Sequence, residues 1–284
     1  MSWAVIGVPI DSVGRSGGTE LAPAALRERG IVERLGASDR GDLDVEVRGE
    51  QRDPATGVIG IDGVIATTAA VRTAVAEVIG AGTRPLLLGG CCTLVPGALA
   101  GLRDAVGDHG VAYVDGHVDV YDGWASPTGE AADMPMAVAF GLGPQPWIDA
   151  AGGPTTAPED AIVLGARDPE EAEDIQDLLT GPLSALTVLG PADLGGAPVP
   201  AKPFWIHLDV DVLDEREMPA TDYLMPGGLA WEELAVVMEP LCASPALAGL
   251  SLGCVNPEKD PDGTYLERTV TLLEASLGVA GSHG

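Results

Sequence analysis

Short apolar runs alternate with longer helical patterns along most of the chain, and no other feature restricts the fold as much. Runs at Ala4–Val8, Pro85–Leu88, Val111–Val114, Ala161–Gly165, Phe204–Val210 and Ala248–Leu252 read as strands. Helical patterns cover Ala22–Leu35, Gly63–Gly80, Leu94–Val106, Pro169–Leu179, Trp231–Leu241 and Thr264–Leu277. Strands that are apolar almost throughout, separated by helices, predict an α/β fold with a mostly parallel sheet covered on both faces. Pro- and Gly-rich stretches at 141–158 and 190–203 read as loops, because the alternation resumes after each. With 284 residues and no internal repeat, one α/β domain over residues 1–284 is expected.

The charge narrows the partners. Fifteen basic against 43 acidic residues give a net charge of −28, which repels nucleic acid and anionic membranes and mildly favours cations. There is no long acidic run, so most of these carboxylates read as solubility. Cys91, Cys92, Cys242 and Cys254 show no zinc-finger spacing, and a chain of this length needs no disulfide scaffold. The apolar run from Trp3 to Ile10 is broken by Asp11 and lacks a basic leader, so no signal peptide is expected. No uninterrupted stretch of about 18 apolar residues marks a membrane span. A cytoplasmic location follows as the expectation.

Three of the apolar runs end in polar clusters. Leu86-Leu87-Leu88 leads into Gly89-Gly90-Cys91-Cys92, Tyr113-Val114 into Asp115-Gly116-His117-Val118-Asp119, and Trp205-Ile206 into His207-Leu208-Asp209-Val210-Asp211. Sites in open parallel sheets form at the carboxyl ends of strands, so the three clusters are expected to converge on one crevice. Asp115, His117 and Asp119 are spaced by two, as are Asp209 and Asp211, and extended backbone presents alternate residues on one side. Four carboxylates in one pocket repel one another, and a cation is the usual remedy. Carboxylates with one imidazole suit Mn²⁺ ahead of Mg²⁺, Fe²⁺ or Zn²⁺. A carboxylate shared by two ions gives a site that lowers the pKa of bound water. Either motif alone is explained by a solvated strand end; the pair, each directly after an apolar strand, points to metal. His109 and His283 read as surface residues. His207 reads as a core histidine, with the orientation of a neighbouring ligand as the alternative.

On these residues the chain resembles the ureohydrolases: arginase, agmatinase and formimidoylglutamase. Gly7-Val8-Pro9, Gly17-Gly18 and Pro23-Ala24-Ala25-Leu26-Arg27 are similar to the family's opening strand, loop and first helix. Asp115-Gly116-His117-Val118-Asp119 resembles its Asp-Ala-His-x-Asp motif, and His207-Leu208-Asp209-Val210-Asp211-Val212-Leu213-Asp214 its Ser-x-Asp-x-Asp-x-x-Asp-Pro motif. Pro226-Gly227-Gly228-Leu229 resembles its Gly-Gly-Leu lead-in to a late helix. The resemblance implies a three-layer α/β/α fold, trimers or hexamers, and a binuclear manganese site. In that scheme Asp115 and Asp209 bridge the ions, His117 and Asp211 complete one, and Asp119 binds the other. Metal-bound hydroxide then attacks the carbon of a guanidino or amidino substrate, with Asp119 accepting its hydrogen bond. Arg167-Asp168-Pro169-Glu170-Glu171-Ala172-Glu173 resembles a substrate-contacting segment of arginases, in which Asp168 and Glu170 take the contacts. An acidic helix N-terminus explains those residues equally well.

Three positions depart from the family. The Gly-Gly-x-His motif is Gly89-Gly90-Cys91-Cys92 here, so Cys92 stands where a histidine ligand is expected, and a thiolate favours softer metals. Ala132 matches a proton-shuttling histidine. Cys254, in Cys254-Val255-Asn256-Pro257, takes the place of the glutamate that pairs with the substrate guanidinium, and is retained as a substrate contact. A buried guanidinium is costly without a carboxylate partner, so a less basic group such as an N-hydroxyguanidine is expected. Similar enzymes that hydrolyse N-omega-hydroxyarginine, one of them in cycloserine biosynthesis, carry cysteine at the histidine position. The resemblance therefore implies a metal-dependent hydrolase of a guanidine-like small molecule. The alternatives are a degenerate member that binds a ligand or partner without turnover, and a cysteine hydrolase using Cys92 or Cys254. The last is disfavoured because no histidine is evident beside either thiol.

Overall fold

The central strands show no polar alternation because both of their faces are covered. In the computed structural model, which describes residues 2–278, eight strands form one sheet. They are β1 (Trp3–Val8), β2 (Ser38–Asp42), β3 (Arg84–Gly89), β4 (Gly110–Val114), β5 (Ala161–Leu164), β6 (Thr187–Leu189), β7 (Phe204–Asp209) and β8 (Leu247–Gly253). Their order is β2-β1-β3-β8-β7-β4-β5-β6, and every pairing is parallel. Leu86, Leu87 and Leu88 are fully buried, and each such side chain stabilises the fold by about 2 kcal/mol.

Among the described residues ten α-helices flank the sheet: α1 (Ala22–Glu28), α2 (Ile31–Arg34), α3 (Ile61–Gly80), α4 (Val95–Val106), α5 (Pro135–Phe140), α6 (Gln145–Ala151), α7 (Pro169–Asp174), α8 (Gln176–Thr180), α9 (Trp231–Ala243) and α10 (Thr264–Leu277). Helices α3, α4, α5 and α6 pack on one another, while α1, α2, α9 and α10 form a second group. The α/β/α layering expected from the resemblance is therefore present. Helix α3 is long and apolar enough, by length and composition, to cross a membrane. It turns Val64, Val71, Val75 and Val78 inward and packs against α4, with Asp62, Arg72 and Glu77 among its other residues.

Several boundaries differ from the sequence reading. Ala22–Leu35 is two helices, because Gly30 adopts a left-handed conformation (φ 77°) between α1 and α2. Pro169–Leu179 is interrupted at Ile175 (φ −96°, ψ 6°), which separates α7 from α8. The stretch 141–158 is not all loop: it contains α6, which Trp147 ties to α3 by donating its indole N–H to Thr68 Oγ1 at 2.8 Å. Edge strands β2 and β6 escaped the reading. Every residue of β2 is exposed and β6 has three residues, so neither carries the apolar run that marks a buried strand. Exposed charge on an edge strand also discourages pairing with another chain.

Candidate metal centre at the strand carboxyl ends

Strands β3, β8, β7 and β4 are consecutive in the sheet, so the loops after them share one rim. At Gly90 a Cβ would lie 1.5 Å from the carbonyl oxygen of Ile10, so only glycine lets the loop after β3 press against the chain after β1. This directs Cys91 and Cys92 inward, where both are buried. The loop after β4 brings Asp115, His117 and Asp119; the end of β7 and the turn beyond it bring Asp209 and Asp211. All three clusters converge at the floor of a cavity of about 430 Å³.

Two donor groups form there. One comprises Cys92, Asp115, His207 and Asp209, the other Asp115, His117 and Asp211, and within each group the donor atoms lie within 4.8 Å of one another. Asp115 belongs to both. Cys92 Sγ is 2.8 Å from Asp209 Oδ2 and 3.8 Å from Asp115 Oδ2. His117 Nδ1 is 3.0 Å from Asp211 Oδ2 and 3.5 Å from Asp115 Oδ1. Backbone donors fix the carboxylates: His117 N donates to Asp115 Oδ1 (2.8 Å), Asp211 N to Asp209 Oδ1 (2.8 Å) and Gly116 N to Asp211 Oδ1 (3.0 Å).

Asp119 lines the same cavity but stands outside both groups. The hydroxyl of Tyr113 donates to its Oδ2 at 2.5 Å, and its backbone holds a left-handed conformation (φ 56°), uncommon for a residue with a Cβ. Glu171 explains how that conformation is held. It is buried on α7 and accepts the N–H groups of Val118 and Asp119, each at 2.8 Å. Its neighbours divide in role: Asp168 caps the start of α7 by accepting from Glu170 N at 2.8 Å, and also lies 3.7 Å from His117 Nε2. Glu170 lines the cavity and is exposed.

Burial and mutual repulsion shape the titration. Burial, then Asp211, raises Asp115 to about 7. Asp209 is raised by burial, Asp211 and Asp115, and Asp119 by burial and Asp115. Burial opposes charge on His117 and Asp211 too, but each outweighs it for the other: the imidazole is raised and the carboxyl lowered, forming an ion pair. Burial drives Cys92 well above the ordinary thiol range; Cys254 is also raised, since burial and Asp209 outweigh the lowering by its bond to Cys92. The two sulfurs are 3.6 Å apart. Crowded carboxyls, a thiol and two imidazoles that repel or neutralise one another when alone are a donor set suited to divalent cations.

Two expectations are corrected. His109 is not a surface residue: it is buried, with Nδ1 at 2.9 Å from Gly107 O and Nε2 at 3.2 Å from Thr156 Oγ1. A histidine does accompany Cys92, namely His207, although neither thiol is activated. His283 lies outside the described residues. The sequence reading assigns no site role to Glu171 or Tyr113, and His207, read as a core histidine with an orienting role as the alternative, falls within a donor group. Glu171 had one legible signal: it stands four residues before the apolar Ile175, the buried residue that closes α7. Ala132 and Cys254 both line the cavity.

Eight parallel strands between helical layers, with polar side chains gathered at their carboxyl ends, define a three-layer α/β/α protein. The Arginase family model matches residues 1–277. An arginase from Brevibacillus brevis is 27% identical over 98% of both chains, and one from Bacillus subtilis (strain 168) is 28% identical over 97% of both. The structure of arginase from Bacillus caldovelox superposes with a TM-score of 0.87 at 24% identity, covering 99% of each chain. The chain belongs to the Arginase family.

Proposed function

We propose that this Arginase-family hydrolase cleaves a C–N bond in a guanidine- or amidine-type small molecule with the help of two divalent cations, manganese at one or both positions. One observation carries the reading: Asp115, fully buried, is shared by two donor groups, and Cys92, His117, Asp209 and Asp211 of those groups line one cavity. Bound there, the cations would polarise the substrate and lower the pKa of a water. Asp115, His117 and Asp211 would hold one; Cys92, Asp115 and Asp209 the other. Asp119 would take up the proton released as water adds to the substrate carbon. Its Oδ2 is occupied by Tyr113, which leaves Oδ1 for that task.

Asp11, Glu130, Asp133, Asp168, Glu170 and Asp222 line the cavity and would draw in a cationic ligand. At the reacting end Cys254 offers a neutral thiol rather than a carboxylate, which favours a less basic group such as the N-hydroxyguanidine of N-omega-hydroxyarginine over the guanidinium of arginine. Asp168 and Glu170 would contact the opposite end of the substrate. We further propose that the chain acts as one domain in a homo-oligomer of the cytoplasm.

The test is elemental analysis of the purified protein, followed by assay of arginine, agmatine and N-omega-hydroxyarginine with added Mn²⁺. Two cations per chain with release of urea or hydroxyurea is the expected result; a protein that takes up no cation and turns over none of these would overturn it. A ligand-binding member without turnover is the second reading, favoured by Ala132 and Cys254 in place of ionisable groups. It predicts saturable binding of a guanidine with no product under any metal.

A further inference from the structure

Among the described residues, His207 Nε2 is one of few buried side-chain nitrogens without a hydrogen-bond partner. The residue is fully buried on β7, its ring tilted against Tyr113 with centroids 4.8 Å apart. Its other nitrogen is engaged: Nδ1 lies 2.8 Å from Ser251 Oγ on β8. That oxygen also accepts the indole N–H of Trp205 at 2.9 Å. A hydroxyl oxygen accepts two hydrogen bonds, so Ser251 can take both N–H groups and leave Nε2 with a free lone pair. The opposite tautomer would bury an N–H facing no acceptor.

The free edge of the ring faces the carboxyl end of β8. A Cβ on Gly253, at the carboxyl end of β8, would lie 3.2 Å from Cε1 and 3.6 Å from Nε2. Nδ1 faces Ser251, two residues back along the same strand. The ring thus turns Nε2 to the end of the sheet where Cys92, Asp115 and Asp209 gather, all within one 4.8 Å donor group. A four-coordinate zinc site with bonds of about 2.0–2.3 Å sets its donors roughly 3.3–3.8 Å apart, so a small inward closure completes it.

We propose that His207 Nε2 is a metal ligand and that, with Cys92 Sγ, Asp115 and Asp209, it makes the first cation position selective for zinc over manganese. Imidazole and thiolate together favour a borderline cation, whereas the second position (Asp115, His117 and Asp211) is richer in oxygen and accepts manganese. The centre is thus built for two different metals. Cation binding replaces the Cys92 S–H proton, now shared with Asp209 Oδ2 at 2.8 Å, with a metal–sulfur bond and releases that proton to solvent. The proposal rests on reading the cluster as a metal centre and adds the ligand and the selectivity.

The full-length protein is stripped with a chelator and titrated with Zn²⁺ and Mn²⁺, separately and together. One equivalent of zinc is expected to bind at least 100-fold more tightly than the first manganese. Zinc-edge X-ray absorption of the protein carrying one equivalent of each metal should then show one sulfur and one imidazole. Cobalt in place of zinc should give a thiolate charge-transfer band that Cys92→Ser removes and His207→Ala leaves in place. His207→Ala, or His207→Gln if the alanine variant does not fold, should weaken zinc binding at least 100-fold. Zinc bound without imidazole or without sulfur, or a His207 variant that holds zinc as tightly as the parent, overturns the proposal while leaving the metal centre intact. No uptake of any cation overturns both.

Discussion

Asp209 illustrates how much one side chain can carry. Its two oxygens accept from Asp211 N and from Cys92, and it sits fully enclosed beside Asp115. Asp209→Asn keeps the shape but removes the charge and one acceptor oxygen. Cation uptake at the first position is expected to fail and turnover to drop by roughly 100-fold or more; unchanged metal content by elemental analysis would refute its role. Cys92 admits the reverse experiment. Cys92→His replaces a soft donor with one better matched to manganese, so Mn²⁺ should bind roughly tenfold more tightly or better. Equal manganese affinity in parent and variant by equilibrium dialysis would remove Cys92 from the donor set. At this scale the i, i+2 spacing made Asp115, His117, Asp209 and Asp211 readable before any fold was known. Asp119 carries the same spacing, yet its left-handed backbone and the Tyr113 hydroxyl turn it to a different set of contacts. Spacing records which way extended backbone points; it cannot record where that backbone bends.

Helix α7 links the acidic segment to the loop after β4 through Glu171, and this contact belongs to the elements rather than to the chemistry. Glu171→Ala leaves the N–H groups of Val118 and Asp119 buried without acceptors, which should cost about 3 kcal/mol in urea unfolding. Glu171→Gln retains one acceptor oxygen and should lose about half of that. A loss below about 1 kcal/mol for the alanine variant would show that the loop holds its own shape. The seam between α3 and α4 is set by glycine: a Cβ at Gly101 would lie 2.6 Å from Arg72 O and 2.7 Å from Val75 Cβ. Gly101→Ala should therefore destabilise by about 1–3 kcal/mol despite the better helix propensity of alanine. A variant as stable as the parent by thermal melting would mean that the helices separate without cost. The elements missed from sequence are those whose stability comes from neighbours. The exposed strand β2 has no apolar pattern, and α6 is seven residues between prolines and glycines, held by Trp147. The buried strands and long helices were readable because burial imposes a period on the sequence.

Across the whole molecule a net charge of −28 is combined with a floor of buried carboxyls, so stability and metal content are linked through pH. Asp115 is raised from 3.8 to about 7, and Asp119 and Asp209 are raised as well, chiefly by burial. A carboxyl with a raised folded pKa favours the fold while protonated, and that contribution is lost as the pH climbs from the unfolded value through the folded one. His109, lowered by burial from 6.5, and His207, lowered to about 3, act in the opposite sense. Their contribution is complete above about 6.5 and fades below it. Above that pH the carboxyl penalty of the metal-free protein is joined by His117, whose raised pKa likewise makes stability fall as the pH climbs. Stripped of cations, the protein should melt at progressively lower temperature as the pH rises from 6.5 past 7. Added cations bind the ionised carboxylates and oppose the loss, because a ligand that prefers the folded state stabilises it by mass action. Melting temperatures measured in parallel with chelator and with excess Mn²⁺ should diverge as the pH rises, and curves that stay parallel would mean that these carboxyls never face a cation.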